Sequence, residues 1–182
     1  MSLKVDKTWT LFLDRDGVIN KKIEKDYVRT IEQFELIDGV LEALKKLSQV
    51  FGRIIIVTNQ RGIGRGLMTE ENLHHIHNHM LSIFKENNIK IDAIYYCPHD
   101  YEKEKCNCRK PNIGMGLKAK EDFKDINFSK SIMVGDSKED IEFASNLGIY
   151  SVLISSTNRF DVKAHRVCKN LIELIEGEFL DF

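Results

Sequence analysis

The run Ile54-Ile55-Ile56-Val57 has no polar face, so as a strand it must be covered on both sides. Together with Arg53 it forms one of five short β-branched or apolar runs; the others are Thr8–Leu13, Ile91–Tyr96, Ser131–Val134 and Tyr150–Ile154. Segments with helical periodicity separate them, at Gly39–Gln49, Glu70–Asn87, Gly114–Lys124 and Glu139–Asn146, and a last one spans Asn170–Gly177. Strands buried on both faces and joined by helices pair in parallel, with right-handed crossovers. The pattern predicts an α/β fold: a doubly wound, three-layer parallel sheet. Turn chemistry agrees. Thr69 precedes Glu70-Glu71 as an N-cap, and Gly148 follows the fourth helical segment, where a left-handed residue ends a helix.

The 182 residues suit one domain spanning 1–182, on the rough scale of ~150 residues per domain. No internal repeat, low-complexity tract or linker interrupts it. Lys+Arg of 27 against Asp+Glu of 28 gives net −1, which excludes a uniformly basic nucleic-acid binder. No apolar run approaches the ~18 residues of a membrane span, and the N-terminus lacks a long apolar signal core. Met1-Ser2-Leu3 carry no weight. The expectation is a cytoplasmic monomer acting on a small molecule, without a nucleic-acid or membrane partner.

Ligand sites in doubly wound sheets lie beyond the carboxyl ends of the strands. There the first run delivers Asp14-Arg15-Asp16-Gly17, the second Thr58-Asn59-Gln60 and the fourth Gly135-Asp136-Ser137, with Lys110 in an intervening loop. Taken singly, each such residue equally suits a cap or a turn. Gathered at one sheet edge, they suit phosphoryl transfer. Carboxylates with phosphate oxygens hold Mg²⁺, and the cation makes crowded acids tolerable. One carboxylate can attack phosphorus and form an aspartyl-phosphate. Asp16 can protonate the leaving oxygen and then deprotonate water, while Thr58 and Lys110 stabilise the transferring group.

On these four motifs, in this order, the chain resembles the haloacid dehalogenase superfamily of phosphatases. The resemblance implies a Rossmannoid fold, Asp14 as nucleophile and Asp16 as general acid/base. It further implies Mg²⁺ held by the side chains of Asp14 and Asp136 and the main-chain carbonyl of Asp16, with Asp140 in support.

Cys97, His99, Cys106 and Cys108 lie within twelve residues. Three thiols and an imidazole make a four-coordinate structural zinc complement, although the C-x-H-x₆-C-x-C spacing is tighter than a zinc finger's. The alternative is three reduced surface thiols beside a chance histidine; Cys168 stands apart as a core or free thiol. Zinc bound at 97–108 would order the loop presenting Arg109 and Lys110. This loop and Thr58–Gly66 are similar to the heptose 1,7-bisphosphate 7-phosphatases and to the related histidinol-phosphate phosphatases. That similarity implies a sugar bisphosphate substrate, a second phosphate on Arg109, and Thr58, Asn59, Gln60 and Arg61 lining the phosphate pocket. Val18, the 21–26 segment and the short stretch between His99 and Cys106 depart from the commoner pattern. Histidinol phosphate, a polynucleotide 3′-phosphate and a non-catalytic phosphate-binding role remain alternatives.

Only 43 residues separate Asp14 from Thr58, which leaves no room for a cap domain. Specificity then falls to loops 21–28, 61–68 and 97–110. The glycine-rich Arg61–Gly66 reads as a flexible cationic lip, and Lys21-Lys22…Lys25 as a solvated loop. Leu73, Ile76, Met80 and Phe84 mark the buried stripe of the second helix, so His74, His75, His77 and His79 are expected mainly in solvent. Phe179 and Phe182 read as exposed.

Overall fold

The computed structural model describes residues 2–157, 163–177 and 179–181. Along these residues strands and helices alternate: β1 (Leu3–Lys4), β2 (Thr10–Leu13), α1 (Val40–Val50), β3 (Arg53–Asn59), α2 (Glu70–Glu86), β4 (Ala93–Cys97), α3 (Gly114–Asp122), β5 (Ser131–Gly135), α4 (Lys138–Leu147), β6 (Tyr150–Ile154), β7 (Arg166–Cys168), α5 (Leu171–Glu176) and β8 (Leu180–Asp181).

Six of the strands form one parallel sheet in the order β4-β3-β2-β5-β6-β7, and β1 pairs with β8 in a second, two-stranded one. From β2 the chain builds outward through β3 and β4 on one side, then returns to build β5, β6 and β7 on the other. The order therefore reverses between β2 and β5, and the crevice outside their carboxyl ends is where such sheets bind ligands. Register aligns the ends: Leu13 stands opposite Ile56 on β3 and Val134 on β5.

Burial on both faces follows from the two-residue repeat of a strand. Leu11, Leu13, Ile54, Ile56, Ile132 and Val134 face the core under α1, α2 and α5. Their alternates Phe12, Ile55, Val57 and Met133 face the one under α3 and α4. Sequence periodicity locates all five helices to within about two residues, which is the usual uncertainty of helix ends. Thr69 caps α2 in a capping box with Asn72, Ser137 caps α4 with Asp140, and Gly148 ends α4 at φ 70°.

Four features depart from the sequence reading. β3 continues through Thr58 and Asn59, so both leave the sheet as strand residues and not as a following turn. β4 starts later than expected and ends on Cys97 itself. β7 has only three residues, too few for a periodicity to register. Leu3 pairs with Leu180, and the Leu3 N–H donates to the Phe179 carbonyl at 2.7 Å. Phe179 is consequently buried in the core rather than exposed, while Phe182 lies outside the described residues.

Phe12 is wholly buried on the central strand. Phe12→Ala is expected to cost about 3–5 kcal/mol in urea unfolding, as large core truncations do. A cost below ~1 kcal/mol, the scale of surface changes, would contradict this packing.

Candidate active site

Asp14 leaves β2 with its backbone N–H bonded to the Val134 carbonyl at 2.9 Å, which ties it to the neighbouring strand. Gly17 then turns at φ 88°, and a Cβ there would lie 2.3 Å from Asp136 Oδ2. A side chain at Gly17 would thus push the Asp136 loop off the β2 tip; glycine allows both the turn and the close approach.

Lys110 is almost wholly buried and completes this crevice from the loop before α3. Its Nζ donates to the Val57 carbonyl at 2.7 Å and to Asp140 Oδ1 at 2.5 Å, and lies 3.0 Å from Asp14 Oδ1. Asn59 grips the same residue by its backbone, accepting from the Lys110 N–H at 3.0 Å and donating to its carbonyl at 3.1 Å. Asp140 is held from its other side by the Ser137 hydroxyl at 2.6 Å, as part of the α4 capping box.

Asp14, Asp136 and Asp140 bring carboxylate oxygens within 4.8 Å of one another. Burial pushes Asp14 up to about 7, and Asp140, Asp136 and Asp16 add to the shift against the pull of Lys110. Asp136 is also raised, first by burial, while Lys22 donates to its Oδ2 at 2.8 Å. Burial opposes charge on Lys110, yet Asp14 and Asp140 hold it above the usual lysine range. Asp136 Oδ1 is buried without a hydrogen-bond partner, and Asp14 Oδ1 meets the Lys110 ammonium as an ion pair. An unsatisfied hard oxygen beside crowded acids suits a divalent cation such as Mg²⁺.

The Asp16 side chain also lines the crevice but turns away from that cluster. Its carboxylate accepts from Arg15 Nη2 on both oxygens, from Asn20 on Oδ1 and from Gln60 on Oδ2, each at 2.9 Å. Against the upward push of burial, the charge of Arg15 and these bonds draw Asp16 below the usual carboxylate range. Gln60 Nε2 additionally donates to Thr58 Oγ1 at 3.0 Å, which aims the Thr58 hydroxyl.

The cavity over the cluster holds about 210 Å³ and is lined by Asp14, Asp16, Thr58, Asn59, Arg109, Lys110 and Asp136, among others. Gln60 and Arg61 are not in its lining, contrary to the sequence expectation. Gln60 is buried beneath it, holding Asp16 and Thr58. Arg61 pairs with Asp100 and Glu102 and lies over the Tyr101 ring at 4.0 Å. Its glycine-rich segment is likewise tied beneath the cysteine loop, the Gly64 N–H donating to the Pro98 carbonyl at 2.8 Å.

Loop 21–28, to which the sequence reading gives specificity, brings Lys22, Ile23, Asp26 and Tyr27 to the cavity, although Lys22 belongs to the run read as solvated; Glu139 joins them from α4. No spacing pattern marks them, because the loop reaches the site only through the tertiary fold. A second cavity of about 540 Å³ adjoins the first and shares Arg109, Lys110 and Glu139 with it. Arg109 Nη1 is buried between them without a partner.

Cys97 leaves β4 into the second donor cluster, with His99, Cys106 and Cys108. Zinc bonds of about 2.3 Å to sulfur and 2.0 Å to nitrogen set tetrahedral neighbours roughly 3.5–3.8 Å apart. Cys97 Sγ lies 3.6 Å from Cys106 Sγ and 3.5 Å from His99 Nδ1; Cys108 Sγ is closer, 2.9 Å from Cys97 Sγ and 3.1 Å from His99 Nδ1. All three cysteines are free thiols, and Cys168 is a buried fourth. Burial pushes the Cys97 thiol up. At Cys106 burial acts the same way, but the Arg109 backbone N–H, the two other thiols and His99 outweigh it and bring the group to about 7.

A buried lysine, clustered acids and a hydroxyl at the switch point of a parallel sheet are equipped for in-line displacement at phosphorus, the chemistry of a phosphatase. Residues 10–165 match the family model described as polynucleotide kinase 3 phosphatase. A Campylobacter jejuni protein named D-glycero-alpha-D-manno-heptose-1,7-bisphosphate 7-phosphatase is 41% identical over 93% of this chain and 95% of its own. A Vibrio cholerae protein carrying the corresponding beta-anomer name is 41% identical over 82% of each. The crystal structure of D,D-heptose 1.7-bisphosphate phosphatase from B. bronchiseptica, complexed with magnesium and phosphate, superposes with a TM-score of 0.83 at 30% identity, covering 92% of this chain and 96% of that one. The chain belongs to the haloacid dehalogenase superfamily of phosphatases and, within it, to the family these relatives share.

An acid whose folded pKa is raised stabilises the fold in full below its unfolded value, near 3.9, and loses that contribution as pH rises towards the folded value. For Asp14 the loss is complete above about 7. Asp14→Asn should therefore melt at or above the parent's Tm in EDTA at pH 8, the difference shrinking towards pH 4. A lower Tm at pH 8 would show that Lys110 needs the Asp14 charge more than the cluster suffers from it.

Proposed function

We propose that the chain is a magnesium-dependent phosphomonoesterase that removes the 7-phosphate of a D-glycero-D-manno-heptose 1,7-bisphosphate through a phosphorylated Asp14. What carries the reading is Asp14 itself: buried, its Oδ1 3.0 Å from the Lys110 ammonium, and clustered with two further acids, one of which, Asp136, leaves Oδ1 without a partner. Similarity over nearly the whole length of the Campylobacter protein supports the substrate.

On this reading an Asp14 oxygen attacks phosphorus in line, and the bond from phosphorus to the sugar oxygen breaks. Asp16 delivers a proton to the departing oxygen. Arg15 favours its ionised form, whereas an arriving phosphate dianion raises its proton affinity. Asp16 then takes a proton from the water that hydrolyses the aspartyl-phosphate, freeing inorganic phosphate and Asp14. Lys110 and the Thr58 hydroxyl bear on the equatorial oxygens. Mg²⁺ would be held by Asp14, Asp136 and the Asp16 main-chain carbonyl, and when bound it screens the acids and the transferring phosphoryl group.

Arg109, with its unpartnered Nη1 between the two cavities, would hold the phosphate that is not cleaved, in the bidentate manner guanidinium favours. Loops 21–28, 61–68 and 97–110 of a single domain, rather than a cap domain, would set specificity. Cys97, His99, Cys106 and Cys108 would bind a structural zinc and order Arg109 and Lys110 before substrate arrives. Free thiols in such a set suit a reducing, cytoplasmic setting. Among the described residues no helix is long and apolar enough to cross a membrane. The large exposed apolar side chains, Ile31, Leu67, Tyr101, Leu117 and Val167, are spread over several elements, in keeping with a monomer.

A phosphate-release panel with Mg²⁺ checks the substrate. The heptose bisphosphates should rank first by kcat/KM, ahead of histidinol phosphate and a 3′-phosphorylated oligonucleotide, the substrate type that the matched family description suggests. Both anomers belong in the panel, because relatives named for either one are equally similar. Asp14→Asn should lose at least ~10⁴ in rate, as removal of a nucleophile does elsewhere. A first-ranked oligonucleotide would overturn the substrate, and near-normal turnover in the variant the nucleophile.

Elemental analysis should find one zinc per chain, and stripping it should lower Tm and raise KM. Removal that leaves both unchanged would contradict the ordering role.

A further inference from the structure

His77 belongs to the helix whose histidines the sequence reading placed mainly in solvent, yet it is 5% exposed. It completes the buried stripe of α2, standing four residues after Leu73 and three before Met80. Its Nε2 lies 3.2 Å from Nη1 of Arg15, whose side chain is wholly buried. Guanidinium donates and never accepts, so Nε2 is the acceptor and the ring proton sits on Nδ1. Burial first, and then the charge of Arg15, lower His77 to about 3, so the ring stays neutral across the physiological range. The opposite end of the same guanidinium spans both oxygens of Asp16 at 2.9 Å.

We propose that His77 is a positioning residue which, by accepting from Arg15 Nη1, commits only Nη2 to Asp16 and so sets the angle at which the Asp16 carboxylate faces the cavity. The inference rests on the acid/base role given to Asp16 above. Its physical basis is that a buried guanidinium cannot leave donors unmet at low cost. Arg15 Nε already lacks a partner. Without His77, Nη1 would be orphaned too, and Asp16 is the acceptor already bound to the same guanidinium. The guanidinium would then turn both terminal nitrogens onto that carboxylate, the fork geometry it favours. The carboxylate would turn with it, against the pull of Asn20 and Gln60. His77 therefore acts on proton transfer from a site that touches no substrate.

The readout is dependence on the leaving group. An alkoxide needs its proton from Asp16, whereas p-nitrophenolate leaves with little help, so misaiming Asp16 penalises only the former. The ratio of kcat/KM for the preferred alkyl phosphate of the panel to that for p-nitrophenyl phosphate is measured for His77→Leu, His77→Gln and Asp16→Asn. His77→Leu should lower the ratio about tenfold, a fraction of the ~10²–10⁴ that general acid catalysis contributes. His77→Gln keeps an acceptor near the Nε2 position and should restore the ratio to within about twofold, even if Tm falls. If the leucine variant does not fold, His77→Asn, whose shorter amide cannot reach Arg15, takes its place. An unchanged ratio in the leucine or asparagine variant, while Asp16→Asn collapses it, overturns the inference and leaves the acid role standing. Equal losses on both substrates in Asp16→Asn overturn the acid role and the inference with it.

Discussion

Everything at the carboxyl edge of the sheet depends on one buried ammonium among three carboxylates. Lys110 Nζ touches Asp140, Asp14 and the Val57 carbonyl, so it joins the tips of β2 and β3 to the start of α4. A lysine buried this deeply stays charged only because acids surround it, and those acids are tolerable together only because of the lysine. The balance is still negative. Asp14 and Asp136 are held above their usual range, which leaves the pair ready for a divalent cation and for a phosphoryl group brought with it.

Supporting residues are assigned by geometry to two separate tasks. Asn59 and Gln60 are adjacent amides at the end of β3 and act on different partners: Asn59 clamps the Lys110 backbone, while Gln60 holds Asp16 and Thr58. Asp14 and Asp16, separated by a single residue, are driven to opposite protonation tendencies. Desolvation among acids raises the first, and a guanidinium with two amides lowers the second. Separating two neighbouring carboxylates in this way is how one site can furnish both a nucleophile and a proton carrier.

The cysteine loop extends the same design outward. Arg61, the Tyr101 ring and Arg109 stack over one another, with guanidinium-to-ring distances of 4.0 and 4.8 Å, and Arg61 is neutralised by Asp100 and Glu102. Arg109 is thereby left as the cation with a free buried donor at the junction of the two cavities. The glycine-rich segment after β3 is bonded to the loop through Gly64 and Pro98, and the Gln60 N–H donates to the Cys97 carbonyl at 2.8 Å, which ties the β3 tip to the donor cluster.

What the linear sequence determined was whatever short-range periodicity and chemistry encode. The apolar run at 54–57 demanded a sheet covered twice, capping residues marked the helices, and acids after apolar runs marked the reactive edge. Asp14, Thr58, Lys110 and Asp136 were therefore legible, as were the four members of the cysteine–histidine cluster. Tertiary structure decided the rest, because those choices turn on partners far away in the chain. His74 and His75 are exposed as expected, whereas His77 is the buried member of the set, and only Arg15, 62 positions earlier, explains a polar side chain there. Arg61 left the phosphate pocket because Asp100 and Glu102 claim it, Lys22 reached Asp136 from a loop with no pattern, and Leu3 gained meaning only by pairing with Leu180. Periodicity reports which face of an element is apolar. It carries no information about which distant charge or backbone group will meet that face, and in this protein those meetings aim the reactive side chains.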